Sequence, residues 1–454
     1  MAEIAAPDPV AAFAFRFCGQ LVQPTDAGYD AARRVHNGLI DKRPSLIARC
    51  HNVADVVDAV NFAREHAVEV AVCGGGHNVA GRATIDGGLM IDLSLMKGIH
   101  VDPNALTARA QGGVTWGEYN RETQLHGLAS TGGVVSTTGI GGLTLGGGWG
   151  YLHGKYGLAV DNLRSVQLVL ADGRIVTASA DDNVDLFWAV RGGGGNFGIA
   201  ASLEFNLHSV GPTIVGGIVM HPFAAARDAL RLYREVADSA PDELTSFAGL
   251  LHGPDGSKSA AIIPCYCGPL SSGDGIIKEL KTFGRAVVDT VGPMPYATIN
   301  QFLDPGFPRG ALNYWKSSFL TAMSDDVIDT MIDCYARVPS PMSAIAVERW
   351  QGAATRVGVG DTAFPHRAAG YNILVLSQWT NPADTERNIA WARESYAALR
   401  PFIASGRYVN YLDDDEAGDP AAEAYGPNYA RLRKLKTRFD PTNFFHMNQN
   451  VRPA

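Results

Sequence analysis

Apolar residues recur along this chain with two periods, and the places where both periods fail are rich in glycine. SLIARC, residues 45–50, is an apolar run of strand length. Behind it, Val53, Val56, Val57, Val60 and Phe62 fall at roughly helical spacing, and Asn52 stands where a helix N-cap belongs. VEVAVC, residues 68–73, is a β-branched run that stops at three consecutive glycines. The pattern is strand, helix, strand. It leaves a glycine loop at the end of a buried strand, a position where α/β folds commonly bind ligands.

Short strands follow in GLMIDLSLM and in LTARAQ, and the second leads into a helix. VDNLRSVQLVLADGRIVTAS is a hairpin with Asp172 and Gly173 as its turn. DLFWAVRGGGGNFGIAASLEFNL gives a helix, a four-glycine loop and a strand. Past about residue 210 the texture changes. FAAARDALRLYREVADSA and SDDVIDTMIDCYARV are amphipathic helices, whereas SAIAVERW, YNILVLSQW and YVNYL are strands. Two helices among several non-adjacent strands predict an α+β layer, a sheet with helices on one face and the other face free to close over a ligand. The tail is a basic helix, a turn at Asp440 and Pro441, and a polar, strand-like end rich in asparagine.

Composition narrows the function classes. A length of 454 residues predicts two to four domains. The net charge of −8 argues against a nucleic-acid footprint and a basic membrane anchor. The six cysteines, at 18, 50, 73, 265, 267 and 334, form no CxxC pair, and no histidine cluster accompanies them. They read as scattered reduced thiols, with no metal site. No basic region opens the chain and no run of about 18 apolar residues occurs, so the expectation is a cytoplasmic protein without a membrane span.

The 51 glycines concentrate in the first half. Three glycine-rich loops, at 74–76, within 131–162, and at 192–195, lie within about 130 residues. None is a Walker A loop, and none is a dinucleotide fingerprint in strand–turn–helix context. Three such loops together predict an extended ligand lying in backbone contact. His77 follows the first loop directly.

GGGHNVAG, GGLTLGGGWGYLHGKYGLAVDN, LFWAVRGGGGNFGI and DPTNFFHMNQNVRP occur in that order. Together with RPSLIARC near residue 43, they resemble the berberine bridge enzyme-like branch of the vanillyl-alcohol oxidase superfamily of flavoproteins. The resemblance implies a two-part FAD-binding domain of the vanillyl-alcohol oxidase type, over 1–208 and 406–454. A substrate domain over 209–405 carries the antiparallel sheet covered by helices on one face. It also implies that His77 bonds through Nδ1 to the flavin 8α-methyl. The expected FAD contacts in the first loop are Gly74, Gly75, Gly76, Asn78 and Gly81. In the second they are Gly133, Val134, Thr137, Thr138, Gly141, Gly142 and Gly147. Gly198, Ile199, Asn410, Asn448 and Asn450 complete the set. Val135 stands where some members carry a second, cysteinyl link, so a single link is expected. Thr138, small but polar, stands where relatives control oxygen access. It favours an oxidase that uses O2 over a dehydrogenase with another acceptor. A flavoprotein that sequesters a compound without turnover is the third reading, and the oligomeric state stays open.

A flavin oxidase takes hydride from a C–H and needs a base for the adjacent O–H or N–H of a small-molecule substrate. In YVNYL, alternation places Tyr408 and Asn410 on one strand face, with Val409 and Tyr411 on the other. The resemblance makes Tyr411 the first choice for the base, with Tyr408 beside it. In SAIAVERW, Ala346, Glu348 and Trp350 share a face, and Glu348 is an odd acid among apolar neighbours. The plain alternatives are a solvated Glu348 or one paired with Arg349 or Arg367, and a Tyr411 that only packs. Tyr314, Trp315 and Lys316 are expected to wall the pocket. His366 and Arg367 read as structural, and the acidic run 413–416 as a solvated loop.

Overall fold

The structure is a computed structural model and describes residues 9–415 and 418–454. Its first sheet contains β1 (Leu46–Arg49), β2 (Val70–Cys73) and β3 (Leu89–Asp92), with β1 and β2 both pairing parallel to β3. Helix α1 (Val53–Glu65) crosses from β1 to β2, capped as its sequence predicts: the Asn52 side chain accepts from the Asp55 backbone N–H. The second sheet is antiparallel. It contains β4 (Thr107–Gln111), β5 (Leu163–Val169), β6 (Ile175–Ser179) and β7 (Ile199–Asn206), in the spatial order β4–β7–β5–β6. Val56, Ala59 and Val60 of α1 pack with Ile91 of β3 and with Val169 and Ala201 of the second sheet, so this helix fills the space between the two sheets.

The third sheet has nine strands. Its centre contains β8 (Leu244–His252), β9 (Lys258–Tyr266), β10 (Leu312–Leu320), β11 (Ala344–Trp350) and β12 (Gly370–Trp379), all antiparallel and ordered β9–β8–β11–β12–β10. Helices α2 (Ala226–Asp238), α3 (Asp325–Ala336) and α4 (Thr385–Leu399) cover one face. Leu230, Met331 and Trp391 pack there against Ile345, Val347, Ile373 and Val375. Strand alternation therefore turns Phe247, Ala346, Glu348, Leu374, Leu376 and Trp315 to the opposite face. Two covering helices were legible in the sequence; α4 and a helix over Leu270–Thr282 add to them.

Helix α5 (Tyr429–Phe439) returns to the first half of the fold. Lys436, fully buried, donates to the Asn196 carbonyl in the third glycine loop (2.7 Å), to Asp440 (2.6 Å) and to the Phe445 carbonyl (2.9 Å). Asp440 in turn accepts from the Phe444 and Phe445 backbone N–H groups. The tail beyond Asp440 is thus pinned coil rather than the expected strand-like end. YVNYL also departs from expectation, because Val409–Tyr411 is one turn of 3₁₀-helix. Asn410 drives this by donating to the Leu143 carbonyl and to the Tyr408 hydroxyl, both at 3.0 Å. Among the described residues no helix is long and apolar enough to cross a membrane.

Candidate active site

The uncovered face of the third sheet roofs a cleft whose floor is the glycine loops of the first two sheets. The cleft opens to solvent and is lined from all three glycine loops, the third sheet and the C-terminal tail.

The first glycine loop leaves β2. A Cβ on Gly75 would sit 2.3 Å from the Gly139 backbone nitrogen, so glycine is what lets the first and second loops touch. None of the backbone N–H groups of residues 74–78 donates a hydrogen bond within the described residues. A row of free donors in a positive-φ turn, with Gly76 at φ +67°, suits an electron-rich ligand. Buried polar atoms at the cleft wall also lack partners: Arg82 Nε, Asn448 Oδ1 and Gln449 Nε2. This donor-rich, backbone-lined groove fits FAD. The second loop is held from the substrate side, because Asn300 donates to the Gly133 carbonyl (2.6 Å) and Asp304 accepts from the Ser136 N–H (2.9 Å).

His77 stands at the cleft wall with Nε2 2.8 Å from the Thr137 hydroxyl. Its ring stacks on His36, with centroids 4.0 Å apart. Burial pushes the His77 imidazole down to about 3, and His36 and Arg309 push the same way. It is therefore neutral at physiological pH. With Nε2 engaged, Nδ1 has no partner among the described residues.

Tyr411 and Glu348 meet across the cleft: the Tyr411 hydroxyl donates to Glu348 Oε1 (2.9 Å). Asn372, directly opposite Glu348 on β12, donates to Oε2 (2.8 Å). Neither arginine of the alternative reading reaches Glu348, since Arg349 pairs with Asp238 (3.3 Å) and Arg367 with buried Asp161 (2.7 Å). Burial raises the Glu348 carboxyl to about 7, with the Asn372 and Tyr411 hydrogen bonds pulling the other way. Burial first, and then the Glu348 charge, hold the Tyr411 phenol well above 10.

The cleft wall brings together Gly74, Gly75, Gly76, His77, Asn78, Gly133, Val134, Thr138, Gly142, Glu348, Asn410, Tyr411 and Asn448. Thr137 reaches it through His77. Gly81, Gly141, Gly147, Gly198, Ile199, Asn450 and Tyr408 lie off the wall. Ile199 begins β7 and lies in the core, Gly198 immediately precedes it, and Gly147 abuts Phe364 and Tyr408. The Tyr408 hydroxyl oxygen accepts from the Gly148 and Trp149 N–H groups and from Asn410, which fills its acceptor sites. In a 3₁₀ turn residues i and i+3 eclipse. Tyr408 and Tyr411 thus share a side, rings 4.8 Å apart, instead of opposing each other. Trp315 lines the cleft, whereas Tyr314 and Lys316 face away and bind Asp415.

The acidic run is anchored rather than solvated over its described part. Asp413 accepts from the Trp315 N–H, Asp414 pairs with Arg82 (2.7 Å) and Asp415 with Arg393 (2.6 Å); Glu416 lies outside the described residues. Wall residues missed in the sequence include Arg82, Trp149, Phe247, Leu374, Leu376, Tyr425 and Gln449. Alternation along YNILVLSQW was the available signal for Leu374 and Leu376.

Residues 44–179 match the family model for the FAD binding domain, and residues 407–452 the model described as berberine and berberine like. An FAD-linked oxidoreductase of Dictyostelium discoideum is 34% identical over 415 residues, covering 90% of this chain and 89% of the relative. The (R)-6-hydroxynicotine oxidase of Paenarthrobacter nicotinovorans is 32% identical over 452 residues, covering 96% and 97%. The crystal structure of 6-hydroxy-D-nicotine oxidase from Arthrobacter nicotinovorans superposes with a TM-score of 0.87 at 30% identity, covering 96% of this chain and 98% of that one. With its glycine-floored cleft and its C-terminal segment returning to that floor, the chain belongs to the berberine bridge enzyme-like family and is an FAD-dependent oxidoreductase.

Proposed function

We propose that this enzyme oxidises a small organic molecule at a C–H next to a hydroxyl or amine. In this reading FAD is linked through His77 alone and O2 takes the electrons. The Glu348–Tyr411 hydrogen bond above the glycine loops is the observation that carries the proposal. Residues 1–208 and 406–454 form the cofactor half, and residues 209–405 the substrate half.

FAD, when bound, supplies the acceptor for hydride. The loops at 74–78 and 133–142, with Gly194, Gly195 and the 448–449 segment, hold it. When its Nε2–H donates to Thr137, neutral His77 keeps the Nδ1 lone pair for the link. No cysteine stands at Val135 to add a second. Glu348 is the base: with its carboxyl near 7, it takes a proton at neutral pH and is still partly ionised beforehand. Tyr411 is the weaker candidate, because its phenol stays protonated and donates to Glu348. Its role is to orient the carboxylate and pass the substrate proton. Tyr408 braces the turn that carries Tyr411. The short Thr138 side chain at the wall leaves room for O2.

Two experiments test this. Acid-precipitated wild-type protein should stay yellow, His77→Ala protein should be colourless, and Thr137→Val should lower the covalently loaded fraction by mass spectrometry. A colourless wild-type pellet rejects the linkage. Anaerobic bleaching by an alcohol and amine panel should reverse on admitting air; bleaching that persists in air rejects O2 as acceptor.

A further inference from the structure

The substrate half shapes its end of the cleft almost entirely from apolar side chains. Phe247, Phe307, Trp315, Ala346, Leu374 and Leu376 line it, and Leu303 closes the set. Glu348 is the one polar residue that residues 209–405 contribute to the wall among the described residues. The hydrogen-bond capacity left there is one-sided. The Trp315 indole N–H donates to Asn313 (3.2 Å), and the Tyr411 hydroxyl proton goes to Glu348. What remains open from these residues is acceptor capacity on the Glu348 carboxylate and the Tyr411 oxygen; Trp149, from the cofactor half, adds one buried, unpartnered indole N–H beside Phe247. Arg82, the cationic side chain of the wall, lies on the His77 loop and is paired with Asp414. His77 is neutral. Phe307, Trp315 and Tyr411 form a chain of edge-to-face rings, with centroids 6.1 and 6.2 Å apart.

We infer that the substrate is a compact, ring-bearing, largely apolar molecule that presents a single O–H or N–H donor to the Glu348–Tyr411 pair, and that polyols and carboxylates are excluded. The inference rests on the assignment of this cleft as the oxidation site. A sugar would bury several hydroxyls against Leu374, Leu376 and Phe247, each left unpaired at a cost of about tenfold or more in affinity. A carboxylate would meet Glu348 without a free cation to offset it. A ring presents its edge or face to Trp315 and Phe247 and loses no hydrogen bonds on entry.

The test is calorimetry and flavin bleaching on anaerobic holoenzyme at pH 8, with four probes: benzyl alcohol, N-methylbenzylamine, benzoate and D-glucose. At least one ring donor should bind 100-fold or more tightly than both benzoate and D-glucose, and its identity assigns the donor as O–H or N–H. Leu376→Asn should narrow the gap to D-glucose by about tenfold. Binding of D-glucose or benzoate within tenfold of the better ring donor, or binding of none of the four, overturns the substrate class. The two readings fail separately. Bleaching by D-glucose with the ring donors inert would keep the oxidation site and reject the class. Tight, selective binding of a ring donor that never bleaches the flavin would keep the class and count against oxidation.

Discussion

Replacing Glu348 with Gln removes a charge that the fold holds at a loss, and the loss can be sized. The carboxyl titrates near 7 in the folded protein against 4.5 for an unperturbed glutamate. At about 1.36 kcal/mol per pH unit, the ionised form costs the fold about 3 kcal/mol. Below pH 4.5 the group is protonated whether the chain is folded or not, and the cost is absent. Between 4.5 and 7 the folded protein binds more protons than the unfolded chain, so stability falls as pH rises, and above 7 the full cost is present. Glu348→Gln escapes it. The variant gives back about 1 kcal/mol, because one of the bonds from Asn372 and Tyr411 loses its charged acceptor. It should therefore be more stable than wild type by about 2 kcal/mol at pH 8 and no more stable at pH 4.5. Urea midpoints at the two pH values read the difference. The same substitution should slow anaerobic flavin reduction by about 10²–10⁴. It should also abolish the tenfold-per-pH-unit rise expected of wild type below 7. A variant whose stability tracks wild type at both pH values would refute the burial reasoning. A reduction rate unchanged across pH would refute the base.

Two further outcomes follow from bonds in the structure. Tyr411→Phe removes a donor that favours ionised Glu348, so the pH limb of the reduction rate should move above 7 while its plateau drops; a limb that stays in place would separate Tyr411 from the base. Lys436→Met leaves Asp440 buried without its cation and should cost about 3–5 kcal/mol, with part recovered in the Lys436→Met/Asp440→Asn double variant; a single-variant loss under about 1 kcal/mol would show that the tail is held by other contacts.

Local patterns carried the sequence reading as far as local causes reach. The N-cap at Asn52, the Asp172–Gly173 hairpin turn and the alternation that isolates Glu348 on β11 are all set within a few residues. Asn372 could not be paired with Glu348 in advance, because strand register depends on partners elsewhere in the chain. YVNYL alternates like a strand for five residues. It becomes a 3₁₀ turn because Asn410 finds the Leu143 carbonyl and packs where Gly146 has no Cβ; one added there would lie 2.0 Å from Asn410 Oδ1. The acidic run looked solvated because its cations, Arg82 and Arg393, are scattered along the chain. For Tyr314 and Lys316 the signal was present: strand alternation separates them from Trp315.

The cleft's floor comes from segments far apart in the chain, Gly74 early and Gln449 late, and this sets an order of events during biosynthesis. At about 5–20 residues per second, roughly 20–75 s separate the synthesis of the two. Throughout that interval the nascent chain already carries His77 and its glycines, yet lacks the 448–449 wall and the Lys436 pin on the third loop. Stable cofactor capture therefore waits until residues 448–449 have left the ribosome, after the whole intervening substrate half has been made.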